Sequence, residues 1–321
     1  MEWDDYWRGL LADNKIKNKV CEIDNVDEEI HGEKKIEKIC HCIYNDYDEL
    51  KEELEKVRQD LLLLIDTFPG VHLQTSRVKS LDSLLCKVII KRHAHMLDKN
   101  NPYHDINEFN YKDIITDLIG IRLIISYRGK WVDIHRRLIE IFPYAEDSEY
   151  KMNHFIPHPK DGTGILAEIP IVYYAYGDDL NIYDGINVDF KLKDNGYRSV
   201  HYVVSYKRTY IEIQTRTIYD EAWNDCDHNY VYKQEAHSSY SALKDLSNIL
   251  SLVTNASNDL GESMQLIFEE NMLRESNGKY YSNSSEPLKM QEIFDRLKKA
   301  CEQLEEFERK VVEMRGDSHG K

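Results

Sequence analysis

Asp194-Asn195-Gly196-Tyr197-Arg198-Ser199-Val200-His201-Tyr202 and, nine residues on, Ile211-Glu212-Ile213-Gln214-Thr215-Arg216-Thr217 decide how this chain is read. Asn195-Gly196 is a turn signal. Beyond it Val200, Tyr202, Val204 and Tyr206 alternate with Ser199, His201, Val203 and Ser205, the pattern of a half-buried strand. Tyr210 to Thr217 alternates again. That period places Glu212, Gln214 and Arg216 on one face, with Ile211 and Ile213 on the other. The connector Lys207-Arg208-Thr209 is short enough for a hairpin, so the polar faces of both strands share one cleft. An ordinary hairpin can also carry polar residues on a wet face. Here an aromatic, an imidazole, two guanidiniums and an amide surround a single carboxylate, an inventory suited to a nucleotide and a metal.

A second cluster lies upstream. Asp113-Ile114-Ile115-Thr116-Asp117-Leu118-Ile119-Gly120-Ile121-Arg122 leads into Leu123-Ile124-Ile125-Ser126-Tyr127, an apolar, β-branched run that reads as a central strand. Asp117 falls at its entrance, and Gly120 marks a place for close approach of a backbone or ligand. Arg122 points into the site or pairs with a nearby acid, because an unpaired buried charge is very costly.

The third cluster is basic. It runs Ser76-Arg77-Val78-Lys79-Ser80-Leu81-Asp82-Ser83 and continues through Leu84-Leu85-Cys86-Lys87 to Lys91-Arg92. Ser80 reads as an N-cap, followed by a helical stripe of Leu84, Leu85, Val88 and Ile89. Ser83 and Lys87 share a helix face beside a loop carrying Arg77 and Lys79. Cations and a hydroxyl at a helix N-terminus suit a polyphosphate, whereas the segment alone reads equally as a solvated basic helix.

The three clusters, in this order, resemble the synthetase domain of the RelA/SpoT family, which makes the alarmones ppGpp and pppGpp. The stretches are S-R-V-K-S-L-D-S-L-L-C-K, D-L-I-G-I-R, K-D-N-G-Y-R-S-V-H and E-I-Q-T-R-T, followed by Trp223, Asp227-His228 and Tyr232-Lys233. The resemblance covers roughly residues 70 to 235. It implies an α+β fold: a mixed β-sheet, nucleotidyltransferase-like core flanked by N- and C-terminal helices. The expected units are 1–69, 70–237 and 238–321.

The implied activity moves the β,γ-diphosphate of ATP onto the 3′-hydroxyl of GDP or GTP and releases AMP. Asp117 and Glu212 are the implied catalytic carboxylates and Mg2+ ligands, with Glu212 as ligand, general base or both. Arg77, Lys79, Ser83, Lys87, Lys193 and Asn195 are expected on ATP. Tyr197 is expected to stack on the acceptor base, with His201 and Gln214 as its polar partners. Arg122 and Arg216 are phosphate ligands or scaffold; Asp227 and His228 brace the site. The stretch between Tyr127 and Lys193 is longer than in the family and is expected to add strands at Ile169–Tyr174 and Ile186–Phe190. In the family this region borders the guanosine pocket. Related toxins use adenine nucleotides or the 3′ end of transfer RNA instead, and a nucleotide-binding regulator without catalysis is a further reading.

Composition bounds these expectations. Forty-two Lys and Arg against 58 Asp and Glu give the 321-residue chain a formal charge of −16, which argues against general nucleic-acid binding. No signal peptide is visible, and the apolar runs are too short to span a membrane, so the cytoplasm is the expected compartment. The six cysteines show no C-x-x-C pair; Cys40-His41-Cys42 reads as half-buried thiols and Gly162-Thr163-Gly164 as a loop. The 76 residues before Arg77 read as helices, with Leu50, Leu54, Val57, Leu61 and Leu64 on one face. They are too few for the hydrolase module of long RelA/SpoT proteins, so synthesis without degradation is expected. Met290, Phe294, Leu297, Cys301 and Leu304, then Phe307, Val311 and Met314, form a helical stripe. It fits a fold-back onto the body, or self-association into a homo-oligomer.

Overall fold

A computed structural model describes residues 2–31, 35–146, 149–150, 156–231 and 240–277, with 294–295, 298–299, 301–306 and 308–309 near the C-terminus. Three helices come first: α1 (Trp3–Leu10), α2 (Asn14–His31) and α3 (Ile36–Ile65). The core then runs β1 (Val71–Val78), α4 (Leu81–His95), the short α5 (Tyr111–Ile114), β2 (Ile119–Ile125) and α6 (Trp131–Ile141). It continues with β3 (Ile165–Leu166), β4 (Ile171–Tyr174), β5 (Asp189–Leu192), β6 (Ser199–Tyr206) and β7 (Thr209–Thr217). Two helices close it, α7 (Ile218–Cys226) and α8 (Tyr240–Asn277).

The strands form one mixed sheet in the order β1-β2-β7-β6-β4-β5, with β3 also paired to β6. β2/β7 and β4/β5 are parallel, while β1/β2, β7/β6 and β6/β4 are antiparallel. The fold is thus α+β with a mixed sheet and flanking helices, as expected. One face is apolar: Ile119, Ile121 and Leu123 of β2 stand with Ile211 and Ile213 of β7 and Val200, Tyr202 and Val204 of β6, all buried. The stripe of α4, Leu84, Leu85, Val88 and Ile89, is fully buried in the same core. Each such side chain contributes about 1.5–3 kcal/mol by leaving water. α2 and α3 pack on the outer side of α4, where Arg92 makes a buried double hydrogen bond to Asp27 at 2.7 and 2.9 Å.

Several local expectations are corrected. Arg77 lies on strand β1, not in a loop. The β6 strand is buried on both faces, because on the polar side Val203 packs with Ala167 and Tyr210 and His158 covers Ser205. The hairpin connector is two residues, Lys207 and Arg208, both at positive φ (47° and 60°). The central strand is Ile119–Ile125: it begins within the D-L-I-G-I-R stretch, two residues after Asp117, and ends before Ser126. The inserted strands begin later than expected, at Ile171 and Asp189, since Pro170 and the turn ending at Ile186 precede them. On α3, Leu64 is exposed and Ile65 takes the buried place. Phe294 and Leu304 are exposed, so these residues of the C-terminal stripe do not fold back on the body. Met290, Leu297, Phe307, Val311 and Met314 lie outside the described residues, as do Tyr232 and Lys233. Among the described residues no helix is long and apolar enough to cross a membrane.

Candidate active site

The polar face of the sheet is built by register. Arg77, Gly120, Glu212 and Val203 stand side by side on β1, β2, β7 and β6. The next row on the same face is Thr75, Arg122, Gln214, His201 and Ile171. Farther along come Arg216 and, on β4 and β5, the paired Tyr173 and Lys191. Strand geometry alone therefore gathers most of the expected residues on one surface.

At one end of this face stands α4. Ser80 caps the helix by accepting from the Ser83 N–H at 3.4 Å, and the turn before it is held by the Tyr47 hydroxyl on the Lys79 carbonyl at 2.9 Å. Lys79 and Lys87 grip the two oxygens of Asp117 at 2.9 and 2.8 Å. Arg77 makes no hydrogen bond or ion pair with any described residue, and its guanidinium is exposed. A Cβ on Gly120 would meet only the Arg77 side chain, at 3.9 Å, so the glycine keeps the floor between Arg77 and Glu212 open. Cations already neutralised by one carboxylate can exchange it for phosphate oxygens.

In the middle lies a closed ring of hydrogen bonds. Arg216 donates to the Tyr197 hydroxyl at 2.8 Å, and Tyr197 and His201 Nε2 are 2.8 Å apart. His201 Nδ1 stands 3.2 Å from Glu212. Gln214 donates to the other Glu212 oxygen at 2.6 Å and accepts from Arg216. One assignment satisfies every member: a neutral His201 that donates from Nδ1 to Glu212 and accepts the Tyr197 proton at Nε2. Burial holds His201 below the ordinary histidine range, consistent with the neutral ring. Burial by itself would raise the Glu212 carboxyl, but the hydrogen bonds from His201 and Gln214 and the positive charge around it outweigh burial and lower it from the usual carboxylate range. Glu212 is therefore a fixed anion.

Tyr197 is braced by two neighbours. The Arg216 guanidinium lies 5.1 Å from its ring centroid, and Tyr173 meets it edge-on at 5.7 Å. Arg122 and Arg216 both end on Glu221 of α7, at 2.9 and 2.8 Å, so they are scaffold for one another through that carboxylate. Lys193 and Asn195, expected on the donor side, stand with the aromatic group instead. Lys193 lies 5.0 Å from the Tyr173 centroid, and Asn195 accepts the Tyr197 N–H at 3.3 Å. Asp227 accepts from Ser247 of α8 at 2.7 Å, away from the ring, and His228 is exposed.

Sequence reading missed Glu221, Tyr173, Lys191 and Glu168. Tyr173 and Lys191 had a signal, their alternation within short strands; Glu168, on the connection from β3 to β4, had none. A serine, histidine and aspartate also line up at Ser205, His158 and Asp113, at 2.7 and 3.5 Å. Ser205 is 0% exposed, so its hydroxyl ties the 156–158 segment to β6 and is not a nucleophile.

Asp117 and Glu212 both lie within reach of the charge on Lys87. Among the described residues no three metal-ligating side chains come together. Two carboxylates beside the cationic start of α4 suit magnesium, which takes one or two carboxylates and completes its shell with other oxygens and water.

With this geometry in place, comparison decides the family. The pattern described as a region found in RelA / SpoT proteins matches residues 76–237, just over half of the chain. The chain belongs to the RelA/SpoT family. The matched span of this RelA/SpoT protein runs from the end of β1 through α7 and so includes each of the three clusters. No curated protein matches the chain. Among solved structures, smu.1046c from Streptococcus mutans UA159 is 17% identical over 72% of this chain and 96% of its own, with a TM-score of 0.42. Small alarmone synthetase 2 from Bacillus subtilis is 20% identical over 70% and 99%, at 0.41. Small alarmone synthetase 1 from the same organism, bound to its product pppGpp, is 20% identical over 70% and 92%, at 0.37.

Proposed function

We propose that this protein transfers the β,γ-diphosphate of ATP to the 3′-hydroxyl of GDP or GTP, making (p)ppGpp and releasing AMP. The observation that carries this reading is the shared sheet face, with the Lys79–Asp117–Lys87 cluster at one end and the braced Tyr197 ring at the other. Between them lies Glu212. Arg77, Lys79, Ser83 and Lys87 hold the donor phosphates. Tyr197 stacks on the acceptor base with the face opposite Arg216, and Lys193, Asn195, His201 and Gln214 line that end. Asp117 and Glu212 would hold Mg2+, which would neutralise charge on the phosphates. Lys79 and Lys87, paired with Asp117 here, would turn to the polyphosphate.

γ-Labelled ATP with magnesium and, in parallel, GDP, GTP, ADP, ATP or transfer RNA tests the acceptor. Label on a guanosine nucleotide is the expected result. Label on adenosine nucleotides or transfer RNA would reassign the acceptor, and no transfer to any acceptor would leave a nucleotide-binding regulator. Glu212→Gln should abolish turnover while ATP affinity stays within several-fold; full activity in that variant would remove Glu212 from the mechanism.

A further inference from the structure

The donor segment 76–83 is held from outside the sheet, by the N-terminal helices. Three of their side chains reach it, at Ser76, Lys79 and Asp82. Arg58 of α3, itself paired with Glu55 at 2.7 Å, donates to the Ser76 hydroxyl at 2.7 Å. Tyr47 of α3 donates to the Lys79 carbonyl at 2.9 Å. Tyr6 of α1 donates to Asp82 in the first turn of α4. A buried phenol needs some partner, and Tyr47 is only 8% exposed. What singles it out is the carbonyl it takes.

Lys79 is fixed at three points. Its N–H donates to the carbonyl of Leu118, the residue after Asp117, at 2.8 Å. Its ammonium rests on Asp117 at 2.9 Å. The Tyr47 bond then secures the peptide on the other side of the Lys79 Cα. With both flanking peptides held, the two backbone torsions of Lys79 are set, and so is the direction in which its side chain leaves.

We propose that Tyr47 is a positioning residue for the donor phosphates: through the Lys79 carbonyl it aims the Lys79 ammonium at an incoming nucleotide triphosphate. This rests on Lys79 lying in the donor site, as in the transfer reading above. When Lys79 leaves Asp117 for phosphate, its backbone keeps its anchors at Leu118 and Tyr47 and only the side chain turns. A backbone held in advance lowers the cost of ordering a long side chain on its ligand. The N-terminal helices are then part of the donor site and not a separate unit.

Tyr47→Phe removes the hydroxyl and keeps the ring. Tyr111→Phe is its control, because the Tyr111 hydroxyl donates to Asp46 of the same helix at 3.0 Å, one residue before Tyr47. ATP affinity of the full chain, by calorimetric titration with magnesium and no acceptor, is read beside steady-state AMP release and urea unfolding. Expected for Tyr47→Phe is an ATP affinity lower by about 3- to 10-fold. The KM for ATP should rise by a similar factor, with kcat and the acceptor KM within about twofold of wild type. Tyr111→Phe should lose comparable stability in urea and bind ATP as wild type does. In a Lys79→Ala background, Tyr47→Phe should weaken ATP binding by less than about twofold more, because its effect passes through Lys79. Wild-type ATP affinity in Tyr47→Phe would overturn the assignment. So would an equal loss of affinity in Tyr111→Phe, or a full further loss in the Lys79→Ala background. A wild type that binds ATP but releases no AMP with any acceptor would overturn the transfer reading alone, since the binding titration needs no turnover.

Discussion

Tyr197 does two things, and two substitutions separate them. In the proposed function its ring is the stacking surface, and its hydroxyl joins Arg216 to His201 within the closed ring of hydrogen bonds around Glu212. Tyr197→Ala removes the surface and should weaken acceptor binding roughly 5- to 150-fold, the equivalent of about 1–3 kcal/mol. Tyr197→Phe keeps the surface and loses about one net hydrogen bond, about 1 kcal/mol, so acceptor affinity should fall no more than roughly fivefold while turnover also drops. Acceptor titrations of both variants decide it; equal, near-wild-type affinities would deny the stacking role. At this scale the sequence was legible wherever strand period governs. Glu212, Gln214 and Arg216 share a face because period two leaves no alternative. Glu221 was not legible, because its meeting with Arg122 depends on how α7 turns back over β2. Lys193 and Asn195 were read on the donor side because sequence order does not say which end of a strand face a turn adjoins.

Among elements, α8 shapes the turn before β6. Gly196 has φ of +87°, and a Cβ there would lie 2.3 Å from the Ser251 hydroxyl of α8, so both conformation and contact require glycine. Ser251 also accepts from Arg198 at 2.9 Å, and Arg198 makes a double hydrogen bond to Asp178 at 2.8 and 3.0 Å. Asp178 further accepts from Asn255 of α8 at 3.3 Å. Asp178→Ala would strand a buried guanidinium and should cost about 3–5 kcal/mol in urea unfolding, with the Tyr197 loop loosened alongside. An unchanged midpoint would show that α8 docks without this network. The motif signalled that Arg198 mattered but not that it faces α8. β1 was illegible for a different reason. As an edge strand it is half exposed and carries mixed residues, V-H-L-Q-T-S-R-V, with no apolar run to announce it.

Across the whole molecule, mild acid should destabilise the fold through its buried histidines. Burial holds His135 at about 4 and lowers His158 and His201 as well. The unfolded chain would bind protons at these three groups below about pH 6.5, whereas the folded protein resists them. Stability contributed by the neutral rings is therefore complete above that pH and declines as pH falls from 6.5 toward 4. The raised Glu168 works in the opposite sense, one group against three. Urea titrations at pH 7.5, 6 and 5 should give a falling unfolding free energy, and a rise on acidification would contradict the sign. The fold class was readable at this scale because three motifs in a fixed order define one sheet. The inserted segment was read only as extra strands; its contribution of Glu168 and Tyr173 to the polar face depends on pairing with β6, which no local pattern encodes.

The central claim is that one face of one sheet passes a diphosphate, and not a single phosphate, from donor to acceptor. Phosphorus NMR of the full chain with ATP, GDP and magnesium tests it most directly. AMP should accumulate in step with a guanosine nucleotide bearing a new 3′-diphosphate, and both should vanish without acceptor. ADP in place of AMP, or AMP with no 3′-linked product, would contradict it.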